Sequence, residues 1–214
     1  AHPEFTALQV AEQLRVTADP TFYTSNTAYK NKLGKGRLDI YRALTIESPS
    51  LRASNSKLVT SAGTVPAPGE NALLYFDFTN YLKSTSSGVE ISISSTSSRV
   101  TITKSTITPG IIGEGSTLSN ETDPFEVTVS ASTPVNTNVE FLITYTDGTY
   151  SDYQFVSFIL NPTFLNIDKN KIITTISAAG RLGYEDTKNQ ANGSGFIFNE
   201  SSILYEMGVI TGTS

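Results

Sequence analysis

The sequence predicts a mainly β protein, with an immunoglobulin- or fibronectin-like β-sandwich preceded by a two-helix segment and followed by a short partial β-unit. Three observations support this fold class. Apolar and polar residues alternate in about seven stretches between residues 50 and 160, which is the period of half-buried strands. Helical spacing is confined to residues 1–46. Ser and Thr account for 55 of the 214 residues and only 16% are charged, a composition typical of β-rich extracellular domains.

The first predicted helix begins after Thr6, because Thr6 and Gln9 have the spacing of a capping box. Apolar residues then recur at helical spacing at Ala7, Ala11, Leu14 and Ala18. Asp19-Pro20 ends this helix, since the residue before a proline avoids the α region. A second, shorter helix is predicted over residues 37–44, after the glycine-containing stretch 33–36.

The strands follow from about residue 50 onwards. They are predicted over residues 51–60, 74–79, 89–94, 100–103, 125–129, 139–145 and 155–160. Asp147-Gly148 lies between two of them and predicts a two-residue hairpin of type I′, a turn that needs positive φ twice. Seven strands in about 110 residues are the usual dimensions of an immunoglobulin-like sandwich.

We divide the chain into residues 1–46, 47–162 and 163–214. The last part follows Asn161-Pro162. Its predicted strands cover residues 171–177, 194–198 and 203–209, with a turn at 180–183 and a polar loop over 186–195. Three or four strands bury little surface on their own, so this part is expected to lean on its neighbour or to continue beyond Ser214.

Composition excludes several classes of function. The net charge of −5 argues against nucleic acid or an anionic membrane as the main partner. The chain has no Cys, which rules out a disulfide framework, a thiolate zinc site and a cysteine nucleophile, and its one histidine, His2, rules out a histidine-cluster metal site. No apolar run approaches the roughly 20 residues of a membrane helix. Without a visible signal peptide, and with Ala1 instead of Met, we expect the chain to begin inside a larger product.

The first segment carries an ordered set of residues. They are His2-Pro3, Thr6, Val10, Leu14, Thr17-Ala18, Gly34, Gly36, Arg37-Leu38-Asp39 and Ala43-Leu44. In this order and spacing the set resembles the two helices that close the catalytic domain of subtilisin-like serine peptidases, the subtilases. Asn161-Pro162, residues 180–184, Gly195-Phe196 and Glu206-Met207-Gly208 look like a stretch that follows the sandwich in some secreted bacterial subtilases. The resemblance implies a C-terminal part of such an enzyme, located outside the cell or at its surface.

The resemblance does not extend to catalysis. Subtilases need an Asp, a His and a Ser in fixed local motifs, because the His takes the proton of the Ser while the Asp holds the His tautomer. His2 precedes a proline and lacks the family's His-Gly context. Gly212-Thr213-Ser214 spells the tripeptide around the nucleophile, but it lacks the Met-Ala-x-Pro continuation and follows the closing helices instead of preceding them. We therefore predict no catalytic residue and no bound cofactor in this chain.

Two groups of oxygen-bearing side chains are weak candidates for Ca²⁺. Asp147 and Asp152 flank the predicted hairpin, and Glu185, Asp186 and Asn189 gather near a loop. Carboxylate and amide oxygens are the ligands that Ca²⁺ prefers, yet neither group has Asp-x-Asp-x-Asp spacing. We favour turn residues and solvated carboxylates as their role.

Two functions follow from the sequence. The first is a non-catalytic accessory region of a secreted subtilisin-like endopeptidase, whose partners are the catalytic domain and a protein or peptide substrate. In it, apolar residues of the helices pack under a catalytic domain carried elsewhere on the chain or on a separate, nicked polypeptide: Phe5, Val10, Leu14, Leu38 and Leu44. The alternative is a non-enzymatic surface-binding or adhesion module. The first predicts an exposed apolar face on the helices, and the second predicts that they pack on the sandwich as an ordinary extension.

Overall fold

A computed structural model describes residues 2–29, 32–183, 193–204 and 207–208. The chain divides into two compact units. The first contains residues 1–131 and 139–158, and therefore both the helical segment and most of the sandwich. The second contains residues 132–138 and 159–214.

The helical segment contains α1 (Ala7–Val16) and α2 (Ile40–Thr45), with short 3₁₀ helices at Pro20–Thr24 and Thr27–Tyr29. The capping box is confirmed, because the Thr6 hydroxyl accepts from the Gln9 backbone and the Gln9 side chain accepts from the Thr6 backbone. The predicted start of α2 at residue 37 is wrong. Asp39 caps the helix by accepting from the Arg42 amide at 2.9 Å, while Arg37 pairs with Asp19 as a β-bridge.

The sandwich is confirmed as the main architecture. Its strands are β1 (Leu51–Val59), β2 (Asn71–Asn80), β3 (Glu90–Ser94), β4 (Val100–Lys104), β5 (Thr106–Ile107), β6 (Thr117–Ser119), β7 (Phe125–Val129), β8 (Thr137–Asp147) and β9 (Tyr150–Leu160). One antiparallel sheet has the order β1-β2-β7-β4, with β6 also paired to β2, and the other has the order β5-β3-β8-β9. This arrangement is that of an immunoglobulin constant-type sandwich, with β5 and β6 as added short strands.

Aromatic side chains from both sheets fill the space between them. Phe78 of β2 meets Tyr145 of β8 edge-on, with ring centroids 6.2 Å apart, and this contact joins the two sheets. Phe76 packs against Phe125 in the same edge-on manner, at 6.2 Å. All four rings are buried, as the alternation of the strands predicts.

The hairpin between β8 and β9 differs from the predicted type. Its two loop residues are Gly148 and Thr149, and of these only Gly148 has positive φ, at 60°. Positive φ at the first central residue alone makes the turn type II′ and not type I′. Asp147 is the last residue of β8, and its carboxylate accepts hydrogen bonds from the Ser86 amide, at 2.7 Å, and from the Ser86 hydroxyl.

The second unit contains a separate antiparallel sheet. Its strands are β10 (Phe164–Lys169), β11 (Ile172–Ser177), β12 (Arg181–Leu182), β13 (Phe196–Phe198), β14 (Ser201–Leu204) and β15 (Met207–Gly208), in the order β14-β13-β11-β12-β15 with β10 also paired to β11. The turn predicted at 180–183 is wrong in part, because Arg181–Leu182 forms β12 and only the flanking Gly180 and Gly183 adopt positive φ. The end of the strand predicted over 203–209 lies outside the described residues.

Candidate functional site

Helix α1 turns its polar side toward the sandwich. Glu12 and Gln13 are both buried, whereas Val10 is 44% exposed. At 100° per residue, the opposite side of the helix carries the apolar positions Ala7, Val10, Ala11 and Leu14. The amphipathic helix is therefore inverted relative to one that packs on a hydrophobic core.

Five charged side chains hold α1 in this orientation, and we call them the ionic cluster: Glu12, Arg15, Lys35, Arg52 and Asp152. Arg15 donates to Asp152 at 2.5 Å and lies 2.6 Å from Glu12, which in turn pairs with Arg52 at 3.1 Å. Lys35 forms a further ion pair with Asp152. Because Arg52 belongs to β1 and Asp152 to β9, the cluster ties α1 to one edge of both sheets.

Hydroxyl groups complete the hydrogen bonding of the ionic cluster. The Ser50 hydroxyl donates to Glu12 at 2.5 Å and accepts from Arg15 at 2.8 Å. The Tyr150 hydroxyl donates to Asp152 at 3.2 Å and accepts from the Leu51 amide at 2.9 Å. Pairing and hydrogen bonds of this kind offset part of the cost of desolvating the buried charges.

Burial and neighbouring charges act in opposite directions on the pKa values of the ionic cluster. Burial would raise the pKa of Glu12, but hydrogen bonds from Arg15 and Ser50 and the positive charges outweigh it and lower that pKa. Burial lowers the pKa of Lys35 to about 8, and Asp152 opposes this shift only in part. Lys35 is further held by Tyr153, whose carbonyl accepts from Nζ at 2.6 Å and whose ring centroid is 3.2 Å from Nζ.

The two helices cap one another. The side-chain amide of Gln13 donates from Nε2 to the backbone carbonyls of Ala43, at 2.9 Å, and Ile46, at 2.7 Å, which lie at the C-terminal end of α2. In return, Arg42 of α2 donates from Nε to the carbonyl of Thr17 at the end of α1, at 3.0 Å. Carbonyls at helix ends have no partner within the helix, so these bonds fix α2 against α1.

Apolar side chains of both helices, and Leu38 just before α2, remain in solvent. We call Val10, Leu38, Ile40, Tyr41 and Leu44 the outer apolar set. Leu44 is 55% exposed and Tyr41 is 77% exposed. Of the five residues predicted to pack under a catalytic domain, Val10, Leu38 and Leu44 are exposed, and Phe5 and Leu14 are half-buried.

The candidate Ca²⁺ ligands have protein partners where they are described. Asp147 and Asp152 line the same cleft of about 1000 Å³, but Asp147 binds Ser86 and Asp152 belongs to the ionic cluster. Within the described ranges, no group of three or more His, Asp or Glu side chains has the arrangement of a metal site. Glu185, Asp186 and Asn189 lie outside the described residues, so their predicted role as turn residues and solvated carboxylates stays a prediction.

A catalytic role would concern His2 and residues 212–214. His2 lies 3.0 Å from Glu4 and stacks on the ring of Phe5, with centroids 4.4 Å apart. Gly212-Thr213-Ser214 lies outside the described residues. The sequence patterns do not predict the ionic cluster; the nearest signal is a pair of opposite charges, Glu12 and Arg15, on a helix of a charge-poor chain.

Comparison with known proteins finds no family model and no curated protein that matches this chain. Among solved structures, the chain is similar to a conjugative transposon lipoprotein from Bacteroides eggerthii DSM 20697, at 9% sequence identity and a TM-score of 0.28. The match covers 51% of this chain and 95% of the lipoprotein chain. A similarity at this level carries no conclusion about function.

Proposed function

We propose that this chain is the non-catalytic accessory region of a secreted subtilisin-like serine endopeptidase, and that it holds and orients the catalytic domain. The outer apolar set is the observation that carries the proposal. Residues 1–46 resemble the closing subtilase helices, so the partner in this proposal is the α/β body of a subtilase catalytic domain. Secretion is part of the proposal and rests on the same resemblance and on the Ser- and Thr-rich composition.

The inverted orientation of α1 supports an external partner. A helix with an apolar stripe normally buries that stripe, because each buried methylene contributes about 0.8 kcal/mol. Here the polar side is anchored, so Val10 cannot turn inward without breaking the ion pairs of Glu12 and Arg15. Exposed apolar patches larger than about a few hundred Å² usually mark an interface.

The ionic cluster supplies the orienting function in this proposal. Its ion pairs fix α1 to β1 and β9, so a body docked on the outer apolar set is held at a defined angle to the sandwich. Paired buried charges contribute more to such specificity than to net stability. Among the helices in the described part of the chain, none has the length and apolar character to cross a membrane.

The first test is the coding sequence upstream of Ala1. A Gly-Thr-Ser-Met motif within a few tens of residues, in the same reading frame, is the expected result. A reading frame that encodes no subtilase catalytic domain would overturn the proposal.

The second test uses the full-length peptidase. Val10→Asp and Leu44→Asp are expected to lower the temperature at which serine-inhibitor-sensitive activity is lost, because each places a carboxylate in the docked interface. Ile111→Asp is the matched control, since Ile111 is 64% exposed but lies in the sandwich and not in the helices. The adhesion alternative predicts that all three variants behave alike.

A further inference from the structure

Strand β9 is at the end of its sheet. In the part of the chain that the structure describes, the order β5-β3-β8-β9 places no strand beyond it. A two-residue hairpin sets the register by rule: the residues that flank the turn, here Asp147 and Tyr150, form a hydrogen-bonded pair, and every second residue from there faces the partner strand β8. The odd-numbered residues of β9 therefore point their N–H and C=O groups away from the sheet.

Contacts at Tyr153 agree with this register. Its N–H donates to the Asp152 carboxylate at 2.7 Å, and its C=O accepts from Lys35 at 2.6 Å. Both partners are side chains, as expected for backbone groups that have no neighbouring strand. The ionic cluster thus covers this part of the β9 edge, in the way that charged side chains protect edge strands.

The next two outward-pointing positions, Phe155 and Ser157, lack such cover. In the part of the chain that the structure describes, no strand lies beyond β9 and no loop backbone bonds to their N–H or C=O groups. The Phe155 side chain is 41% exposed and its ring meets that of Tyr153 edge-on, at 6.0 Å between centroids. Ser157 is also exposed. Two donors and two acceptors at strand spacing, beside an exposed aromatic ring, are the features of an edge that adds a strand.

We infer that the β9 edge from Phe155 to Ser157 binds an extended segment of an unfolded polypeptide as an added strand. The hydrogen-bonding pattern requires a partner with an extended backbone, because only that conformation presents alternating N–H and C=O groups at the spacing of a strand. A side chain of the segment packs beside Phe155, and the apolar character of that ring favours an apolar residue there. The inference goes beyond the proposed function, since it stands on β9 and not on the helices.

Hydrogen–deuterium exchange of the wild-type chain tests the inference with a defined probe. The probe is reduced, carboxymethylated α-lactalbumin, which is permanently unfolded, and native α-lactalbumin is its control. The unfolded probe is expected to slow exchange at the amides of Phe155 and Ser157 by at least about tenfold, and the native control is expected to leave them unchanged. Binding that protects other segments but not these amides, or no binding at millimolar probe, overturns the inference.

A matched pair of variants locates the interaction on the backbone. Ser157→Pro removes an N–H that points away from β8, so the sheet is kept while the donor to the added strand is lost. Ser151→Pro is the control, because Ser151 is an exposed serine with the same backbone direction at the other end of β9. We expect at least about tenfold weaker probe binding for Ser157→Pro and unchanged binding for Ser151→Pro.

The remaining outcomes are also decisive. Equal binding by both variants contradicts a backbone interaction at Ser157. If Ser157→Pro does not fold, the exchange measurement on the wild-type chain decides alone. Protection of Phe155 and Ser157 that rises with protein concentration in the absence of probe assigns the edge to a second copy of the chain and overturns the assignment to an unfolded polypeptide.

Discussion

The interior of the sandwich and the junction between helix and sandwich are built on opposite principles. Phe78 and Tyr145 meet across the two sheets without solvent contact, and their burial drives folding through the hydrophobic effect. At the junction, Glu12 and Asp152 are also buried, yet they contact Arg and Lys side chains instead of hydrocarbon. Both regions bury side chains, but only the first gains much free energy by doing so.

The difference shows how one chain can keep an apolar surface free. If α1 packed on the sandwich through hydrocarbon, its apolar stripe would be used up in that contact. Because charges and amides make the contact, Val10 and Leu44 stay available to another body. The junction therefore gives orientation, and the sandwich gives stability.

Loss of an interior ring is expected to have the largest effect. Phe78→Ala removes a fully buried side chain at the contact between the sheets, and we expect a loss of about 3–5 kcal/mol in the free energy of unfolding. Urea denaturation followed by tyrosine fluorescence measures it. Phe155→Ala removes a ring that is 41% exposed and is expected to cost less than about 1.5 kcal/mol. Equal costs would show that the interior is not the main source of stability.

Removal of one charge from the junction is expected to have the second-largest effect on stability. Asp152→Asn keeps the shape of the side chain but leaves Arg15 and Lys35 buried without their common carboxylate. We expect a loss of about 3 kcal/mol in the free energy of unfolding. Asp19→Asn is the control, because its partner Arg37 is 75% exposed, and a much smaller loss is expected there. A small effect at both positions would mean that water solvates the ionic cluster.

The mutual capping of the helices is expected to give a smaller and more local effect. Gln13→Met preserves the length of the side chain but removes the donor to the carbonyls of Ala43 and Ile46. Leaving such groups without a partner costs about 2 kcal/mol. In hydrogen exchange, α2 is expected to lose protection while the amides of β3 in the same sample keep theirs. Equal loss in both would indicate global destabilisation and contradict a local role for Gln13.

Local patterns in the sequence predicted the local structure well. Thr6 and Gln9 predicted the start of α1, and the alternation of residues 74–79 predicted β2, because helix capping and burial of one strand face each leave a short-range pattern in the sequence. Strand β10 was missed because its exposed residues, among them Leu165 and Asn166, do not alternate with buried ones. The very short β5 and β6 carry too few residues to show any period.

Long-range pairing left no comparable signal. Arg15 and Asp152 are 137 positions apart, and no spacing rule links residues at that distance. The stripe of Val10 and Leu14 predicted an apolar face correctly, but only the charges brought in by β1 and β9 decide that this face turns outward. The orientation of a helix depends on which groups contact its polar side, and those contacts are a property of the tertiary structure.

The titration of Lys35 gives the smallest effect and the most specific test of the junction. Burial lowers the pKa of Lys35 from 10.5 to about 8, so between these pH values the unfolded chain binds a proton that the folded chain does not. Stability therefore rises with pH across this window, by about 1 kcal/mol for a partly solvated group. Burial also raises the pKa of Tyr150, which lowers stability above pH 10. The Lys35→Met variant keeps the effect of Tyr150 on the pH dependence of stability but has no lysine to titrate. The difference in free energy of unfolding between wild type and variant, measured with urea at each pH, therefore reports Lys35 alone. A difference that increases from pH 8 to pH 10.5 is expected, and one that stays flat would show that Lys35 keeps an ordinary pKa and is not held in a desolvated cluster.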